Sequence, residues 1–365
     1  MGKIKAVALS DLHLGDTESL LFDGDNDNII ELTASKISEL AGENKEIEEL
    51  ILNGDIPDLS EAKKEEAYKN TKNFLKAIFD KVNIKKIVYI PGNHDHHLWV
   101  EMVEEANSGK KYKDCKMTDY SIKGKDNLFA KNCIPEDVKD RLKEVEVTYP
   151  NYLLEDDKTS FFFHHGHLIG KTVLRFVWEA RTKDLEDLER RATDDIEWIW
   201  WKLKGLDPIK EKAYDLFRKI GIVAEGKRRG TSFVSDGRPI ADYEQASKIV
   251  WYLKDICKGK VSQNKEFHFI FGHTHHGGRI LRDDRMFRIN GRFISVWNTG
   301  GWIVPADIWS PDAYIFFIEE IQNTDSDQPK LQPKAIKVVA KPENGGGEGD
   351  YEHKILRHRA RQIGK

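Results

Sequence analysis

The sequence predicts an α/β fold, and three observations predict it. Short runs of β-branched and aromatic residues recur at residues 4–9, 49–52, 87–90, 161–163 and 267–271, with the length and composition of buried strands. Segments between the first three runs carry apolar residues at helical spacing: Ile30, Ala34, Ile37 and Leu40 in one, Tyr68, Leu75, Ile78, Phe79 and Val82 in the other. Every run breaks into a turn rich in Asp, Asn or His. Strand-helix-strand alternation gathers such turns outside the carboxyl ends of the strands.

The alternation stops after residue 167. Leu174, Trp178, Arg181, Leu185, Leu188, Ala192, Ile196, Ile199 and Leu203 follow in steps of three and four, which describes one long amphipathic helix. Gly205 and Asp207-Pro208 end it. A second helix is expected on Ile209, Ala213, Leu216, Phe217 and Ile220, and a third on Tyr243, Ala246, Ile249, Val250 and Leu253. Residues 168–260 therefore read as a helical insertion. Strands resume at 293–296, 314–318 and 336–339, so 1–167 plus 261–341 form the main domain. The stretch 342–365, with Gly345-Gly346-Gly347 and many charges, reads as a flexible tail.

Composition narrows the function classes. The 365 residues carry 58 basic against 62 acidic groups, a formal charge of -4, which argues against a generic polyanion-binding surface. Cys115, Cys133 and Cys257 form no CxxC pair, so a disulfide framework, a zinc ribbon and a redox motif are all excluded. A reduced, cytoplasmic compartment is expected. The run 4–9 is too short for a signal-peptide core, and Ala6 sits where a myristoylation motif requires Ser or Thr. No apolar stretch approaches the roughly 18–20 residues that span a bilayer.

Five of the turns carry chemistry: Ser10-Asp11-Leu12-His13, Asn53-Gly54-Asp55, Pro91-Gly92-Asn93-His94-Asp95, His164-His165-Gly166-His167 and Gly272-His273-Thr274-His275. Any one of them alone is an ordinary turn. Strands of one sheet would bring all five to the same rim, where carboxylates and imidazoles unpaired by Lys or Arg repel. Bound cations relieve that repulsion, and Asp, Asn and His suit zinc, manganese or iron.

Taken in order, Asp11-x-His13, Gly54-Asp55-x-x-Asp58, Gly92-Asn93-His94-Asp95, His165-Gly166 and Gly272-His273-Thr274-His275 resemble the motif set of the calcineurin-like metallophosphoesterases. The turn Asn298-Thr299-Gly300-Gly301 extends the likeness to residue 301. The resemblance implies two mixed β-sheets packed as a sandwich and flanked by helices, with two divalent metal ions about 3.5 Å apart at the strand ends. Asp11, His13 and His275 would hold one ion and Asn93, His165 and His273 the other, with Asp55 shared. Manganese is the first expectation; iron, zinc, nickel and cobalt suit the same ligands. A hydroxide between the ions would attack phosphorus in line. His94 resembles the family's catalytic histidine and Asp58 its orienting partner, with Asp95 a second candidate for that task. Of the three clustered imidazoles, the His-Gly pair selects His165. His167 is expected to touch substrate or cap the next helix, and His164 to be structural. His96, His97 and His276 are expected at the surface or behind the ligands.

Gly54-Asp55-Ile56-Pro57-Asp58 and the late insertion look most like the UDP-2,3-diacylglucosamine pyrophosphatase branch, in which a helical cap receives a lipid-bearing nucleotide sugar. The chain departs from that branch in its length and in carrying His94 where the branch commonly has Arg. The expected substrate is thus a phosphorylated small molecule or a lipid-linked one. A nuclease or phosphodiesterase is the alternative, disfavoured by the absence of a long basic stripe. An inactive binding scaffold is a third reading, against which the complete ligand set stands. Lys227, Arg228 and Arg229, between two glycines, form either a phosphate clamp or a solvated loop. Trp178, Trp198, Trp200, Trp201 and Trp251 lie in the insertion, where ordinary packing is favoured over an acyl-chain wall. Trp198, Trp200 and Trp201 cannot share one helix face. The long helix could also pair with a second copy of the chain.

Overall fold

Seven strands form the first sheet of the computed structural model, in the order β13-β12-β1-β2-β3-β5-β4. The structure describes residues 2–16, 19–21, 27–169, 184–204, 243–261, 264–275, 278–279, 287–303, 313–322 and 329–338. At the sheet's centre β1 (Lys3–Leu9), β2 (Glu46–Asn53), β3 (Asn83–Ile90) and β5 (Glu144–Tyr149) run parallel. The flanking strands β4 (Tyr120–Lys123), β12 (Tyr314–Ile321) and β13 (Lys330–Lys337) run antiparallel to their neighbours.

The second sheet is ordered β10-β11-β8-β7-β6. In it β7 (Thr159–His164), β8 (Glu266–Phe271) and β11 (Arg292–Asn298) are parallel. Antiparallel β6 (Asn151–Glu155) and the short β9 (Gly278–Arg279) and β10 (Arg288–Ile289) complete it. Both sheets are mixed, as expected.

Side chains alternate across each strand, and the alternation builds the layers. On β1, Ala6 and Ala8 face the second sheet, where they meet Phe161 and Phe163 of β7 and Ile270 of β8. Val7 and Leu9 face the other way, onto a helical layer that includes α1 (Asp27–Leu40), α2 (Lys64–Phe79) and α3 (His96–Ala106). The short α4 (Leu128–Cys133) and α5 (Glu136–Arg141) close that layer. Alanine on one strand against phenylalanine on the other lets the sheets approach without a void.

On the outer face of the second sheet, Phe162, Phe267, Phe269 and Phe271 are covered by α6 (Leu185–Lys204) and α7 (Tyr243–Trp251). Leu188 and Ala192 of α6 and Ala246 and Ile249 of α7 are buried there. These two helices are thus the fourth layer of the fold. The expected stripe on α6 is buried at Leu188, Ala192 and Ile196, whereas Trp198 is 63% exposed. The second expected inserted helix, the basic loop with Lys227, Arg228 and Arg229, His276 and the tail 342–365 lie outside the described residues. Among the described residues, no helix is long and apolar enough to cross a membrane.

Candidate metal centre

Two sets of three parallel strands, one set per sheet, end at the same rim: β1, β2 and β3 in the first and β7, β8 and β11 in the second. The loops that leave them lace together through backbone hydrogen bonds. The N–H groups of Asp11 and His13 donate to the carbonyls of Gly54 and Asp55, each at 3.0 Å. Across the sandwich, the N–H of Gly272 donates to the carbonyl of His165 at 2.8 Å. That lacing brings Asp11, His13, Asp55, Asn93, His165, His273 and His275 into one cluster.

Backbone strain is concentrated on these residues. Of nine non-glycine residues with positive φ among those described, five are Asp11, His13, Asp55, His273 and His275, with φ between 46° and 63°. A left-handed conformation costs a residue with a Cβ on the order of 1 kcal/mol or more. Such a cost is tolerated where the side chain must point somewhere in particular. Glycine makes room beside them: a Cβ on Gly92 would stand 2.3 Å from Asp55 Oδ1, and one on Gly54 2.2 Å from His165 Nδ1.

Side-chain geometry divides the cluster into two. In one half Asp11, His13 and His275 converge, with His275 Nε2 3.3 Å from Asp11 Oδ1. Asp58 Oδ2 lies 2.8 Å from His13 Nδ1, which leaves His13 Nε2 buried with no hydrogen-bond partner. In the other half Asn93 Oδ1 is 3.0 Å from His165 Nε2 and 2.8 Å from His273 Nδ1. Between the halves, Asp55 Oδ2 is 3.2 Å from His165 Nε2 and 3.8 Å from His13 Nε2. Its other oxygen accepts the N–H of His94 at 2.7 Å.

The protonation state of His165 shows what the second half requires. Its Nδ1 faces the carbonyl of Asn53 at 3.0 Å and must donate there. In a neutral ring, Nε2 then carries a lone pair aimed at the oxygens of both Asp55 and Asn93. Only a positive charge makes that arrangement favourable. Burial alone would lower the pKa of His165, yet the Asp55 carboxylate carries it up to about 10. A proton fills the demand in the protein by itself, and a divalent cation fills it with the same ligands. Together with the orphaned Nε2 of His13, this is a donor set that fits metal ions.

Asp11, Asp55 and Asp58 stay ionised. Burial raises Asp55, but the charges of His165 and His94 take it well below the usual carboxylate range. Asp58 behaves alike, through His94 and a hydrogen bond from His13. Among the described residues the ion pairs of Asp11, Asp55 and Asp58 are with imidazoles alone.

Asp58 has two imidazole partners. Besides His13, its Oδ2 lies 3.0 Å from His94 Nδ1, and the rings of His13 and His94 meet edge to face at 4.6 Å. Ser60, which nothing in the sequence singled out, places its hydroxyl 2.6 Å from the same His94 nitrogen and 3.0 Å from Asp58 Oδ1. Asp95 does something different. Its carboxylate accepts the N–H groups of Gly92, at 2.5 Å, and Ile56, at 2.9 Å, clamping the loops after β3 and β2 together. Burial, reinforced by the charge of Asp55, raises it to about 7. Asn298 Nδ2 donates to the Gly272 carbonyl and to Thr274 Oγ1, which holds the Gly-His-Thr-His turn.

His96, His164 and His167 are buried. His167 is 2% exposed, with Nε2 3.0 Å from Glu189 Oε2, and His164 is 1% exposed. Burial lowers His164 to about 4 and His96 to about 3, so both rings are neutral. His96 was expected near the surface or behind the ligands; it is fully buried, its Nε2 2.8 Å from Thr193 Oγ1 on α6. Glu189 and Thr193 were missed in the sequence, although their i, i+4 spacing places them on one face of α6.

Comparison with known proteins completes the picture. A family model described as calcineurin-like phosphoesterase matches residues 4–277. Curated proteins give no match. Among solved structures, the chain is similar to a conserved uncharacterised protein of Streptococcus pneumoniae TIGR4, titled a predicted phosphoesterase. Identity there is 11%, covering 92% of this chain and 99% of that one, with a TM-score of 0.26. It is also similar to the sulfate thiohydrolase SoxB of Thermus thermophilus in complex with glycerol, at 8% identity, over 99% of this chain and 61% of that one, with a TM-score of 0.32. The family match takes in all seven clustered residues along with Asp58 and His94, and the chain belongs to the calcineurin-like phosphoesterases, hydrolases that act on phosphoesters.

Proposed function

We propose that the protein cleaves a phosphoester or pyrophosphate bond with two divalent cations, one held by Asp11, His13 and His275 and the other by Asn93, His165 and His273, with Asp55 between them. The observation that carries this reading is the set of nitrogen lone pairs and carboxylate oxygens that face each other at His13, Asp55, Asn93 and His165. Bound there, divalent cations neutralise charge on phosphoryl oxygens and lower the pKa of water enough to make it a nucleophile near neutral pH. The protein's own groups do the rest. His94, whose Nδ1 is held beside Asp58 and Ser60, would protonate the leaving oxygen through its other ring nitrogen. Asp58 fixes that tautomer, and through His13 it ties the proton donor to the ligand set.

The favoured substrate is a nucleotide sugar or a lipid-linked phosphate, received beside residues 168–260 acting as a cap. Support comes from α6, which packs next to the His-Gly-His turn and presents Trp198 outward. Lys227, Arg228 and Arg229 are the proposed phosphate clamp, and manganese the proposed metal. A panel of nucleotide-sugar lipids, nucleotide pyrophosphates, cyclic nucleotides, phosphoproteins and single-stranded DNA, assayed with manganese, tests the reading. Turnover of the pyrophosphates above the rest is expected. Preference for DNA or a cyclic nucleotide would replace the substrate proposal with a phosphodiesterase, and inertness toward the whole panel would sink the enzymatic one.

A further inference from the structure

Helix α6 buries three polar residues on one stripe: Glu189 at 0%, Thr193 at 0% and Glu197 at 4% exposure. They stand four residues apart, and each ends on an imidazole. Glu197 meets His97 at 2.8 Å, Thr193 meets His96 at 2.8 Å, and Glu189 meets the pair that brackets His165. Glu189 Oε2 lies 3.0 Å from His167 Nε2 and accepts the Tyr149 hydroxyl at 2.8 Å. Its Oε1 accepts the Tyr252 hydroxyl at 3.4 Å and faces His164 Nε2 at 3.7 Å.

His164, His167 and Glu189 have the composition of a metal site. The hydrogen bonds say otherwise. The backbone N–H of Gly166 donates to His164 Nδ1 at 2.9 Å, so that nitrogen holds a lone pair and Nε2 carries the ring proton. A metal on Nε2 would require an imidazolate, whereas metal-bound histidines donate from their second nitrogen. What remains is a buried carboxylate surrounded by N–H and O–H groups. The turn it grips is the one on which His165 stands: Gly166 has φ 109°, and the carbonyl of His165 is tied to Gly272.

We propose that the inserted helix is part of the metal centre, with Glu189 as a positioning residue that orients His164 and His167 and thereby sets His165 for its metal. The proposal rests on His165 being a ligand in the two-metal reading. Losing a partner behind a metal-bound histidine weakens the metal by roughly 10- to 100-fold. Glu189 acts on the residues one before and two after the ligand and falls in the same class. Its effect is specific to the half of the centre that contains His165.

The test is a manganese titration of the full-length protein by calorimetry, with bound metal counted by elemental analysis. Wild type is compared with Glu189→Gln, and with Glu197→Gln, which loosens the same helix without touching the turn. Expected are two ions in wild type and in Glu197→Gln, and in Glu189→Gln one site unchanged and one weakened at least tenfold. Matching titrations for Glu189→Gln and wild type overturn the positioning role, as does equal weakening of both sites in both variants. Fewer than two ions in wild type refutes the two-metal reading itself, and this proposal with it. Should Glu189→Gln fail to fold, the ring nitrogen shifts of wild type decide: a proton on Nδ1 of His164, in place of Nε2, overturns the proposal.

Discussion

The two halves of the candidate metal centre share a pair of imidazoles but differ in the third group, Asp11 against Asn93, and in what stands behind the rings. His13 is backed by a carboxylate, Asp58 Oδ2 at 2.8 Å; His165 is backed by a peptide carbonyl, that of Asn53 at 3.0 Å. A carboxylate behind an imidazole makes the ring a stronger donor than a carbonyl does. The first half also shares Asp58 with His94, and the second lies beside the turn that Glu189 of α6 contacts through His167. On the proposed two-metal reading, one fold would thus build two sites of unequal affinity, the tighter one on the His13 side. The difference teaches that the group behind each imidazole, as well as the exchange of Asp11 for Asn93, would set how tightly each half holds a cation.

Several substitutions break or sharpen this contrast. The largest effect is expected from Asp55→Ala, which removes the one carboxylate placed between the halves. Both ions should be lost and turnover should fall to background; retention of either ion at full affinity would contradict the shared position. His94→Ala should slow turnover by roughly 10²–10⁴-fold with both ions still bound, as elemental analysis can check. Asp58→Asn should weaken the His13 half by about 10- to 100-fold and bring the two affinities closer together. A titration that still shows the original spread would mean that Asp58 serves His94 alone.

The smallest effect concerns the contact between α3 and α6. Burial lowers the pKa of His97, but hydrogen bonds to Glu101 and Glu197 raise it above its usual value on balance. A raised histidine contributes stability that is full below its unfolded pKa and is lost as pH rises through its folded one. Hydrogen bonds from His97 and from Lys64 lower Glu101 to about 2, so that carboxylate is charged across the range. Wild type should therefore lose its advantage over His97→Gln as pH rises above about 6.5, by no more than about 2–4 °C in Tm. A constant gap from pH 5 to 9 would assign the contact to packing.

Much of the site was legible because each ligand follows a strand directly. An apolar run ending in Asp-x-His or Gly-Asn-His-Asp declares both the strand and the place where its function sits. What lay between residues 96 and 158 was not read. Strand β5 has the alternating sequence EVEVTY, and α3 opens on two histidines, so neither shows a plain apolar run. The polar stripe of α6 was hidden in another way. Glu189 and Thr193 stand among Arg190, Arg191, Asp194 and Asp195, and buried and solvated charges look the same until a partner element is known. Ser60 and the double duty of Asp58 are products of loop lacing, which joins residues from separate strands and leaves no periodic trace.

The left-handed backbone at Asp11, His13, Asp55, His273 and His275 has a consequence for the protein's history under selection. Glycine or asparagine adopts that conformation at lower cost than histidine does. At His13, His273 and His275 the residues proposed for the chemistry cost the backbone more than glycine or asparagine would, so stability and function would pull apart there. A lineage released from its substrate, or a library screened for heat resistance alone, would shed these side chains early. The aromatic layers between the sheets would persist, and with them a fold that no longer betrays what it once cleaved.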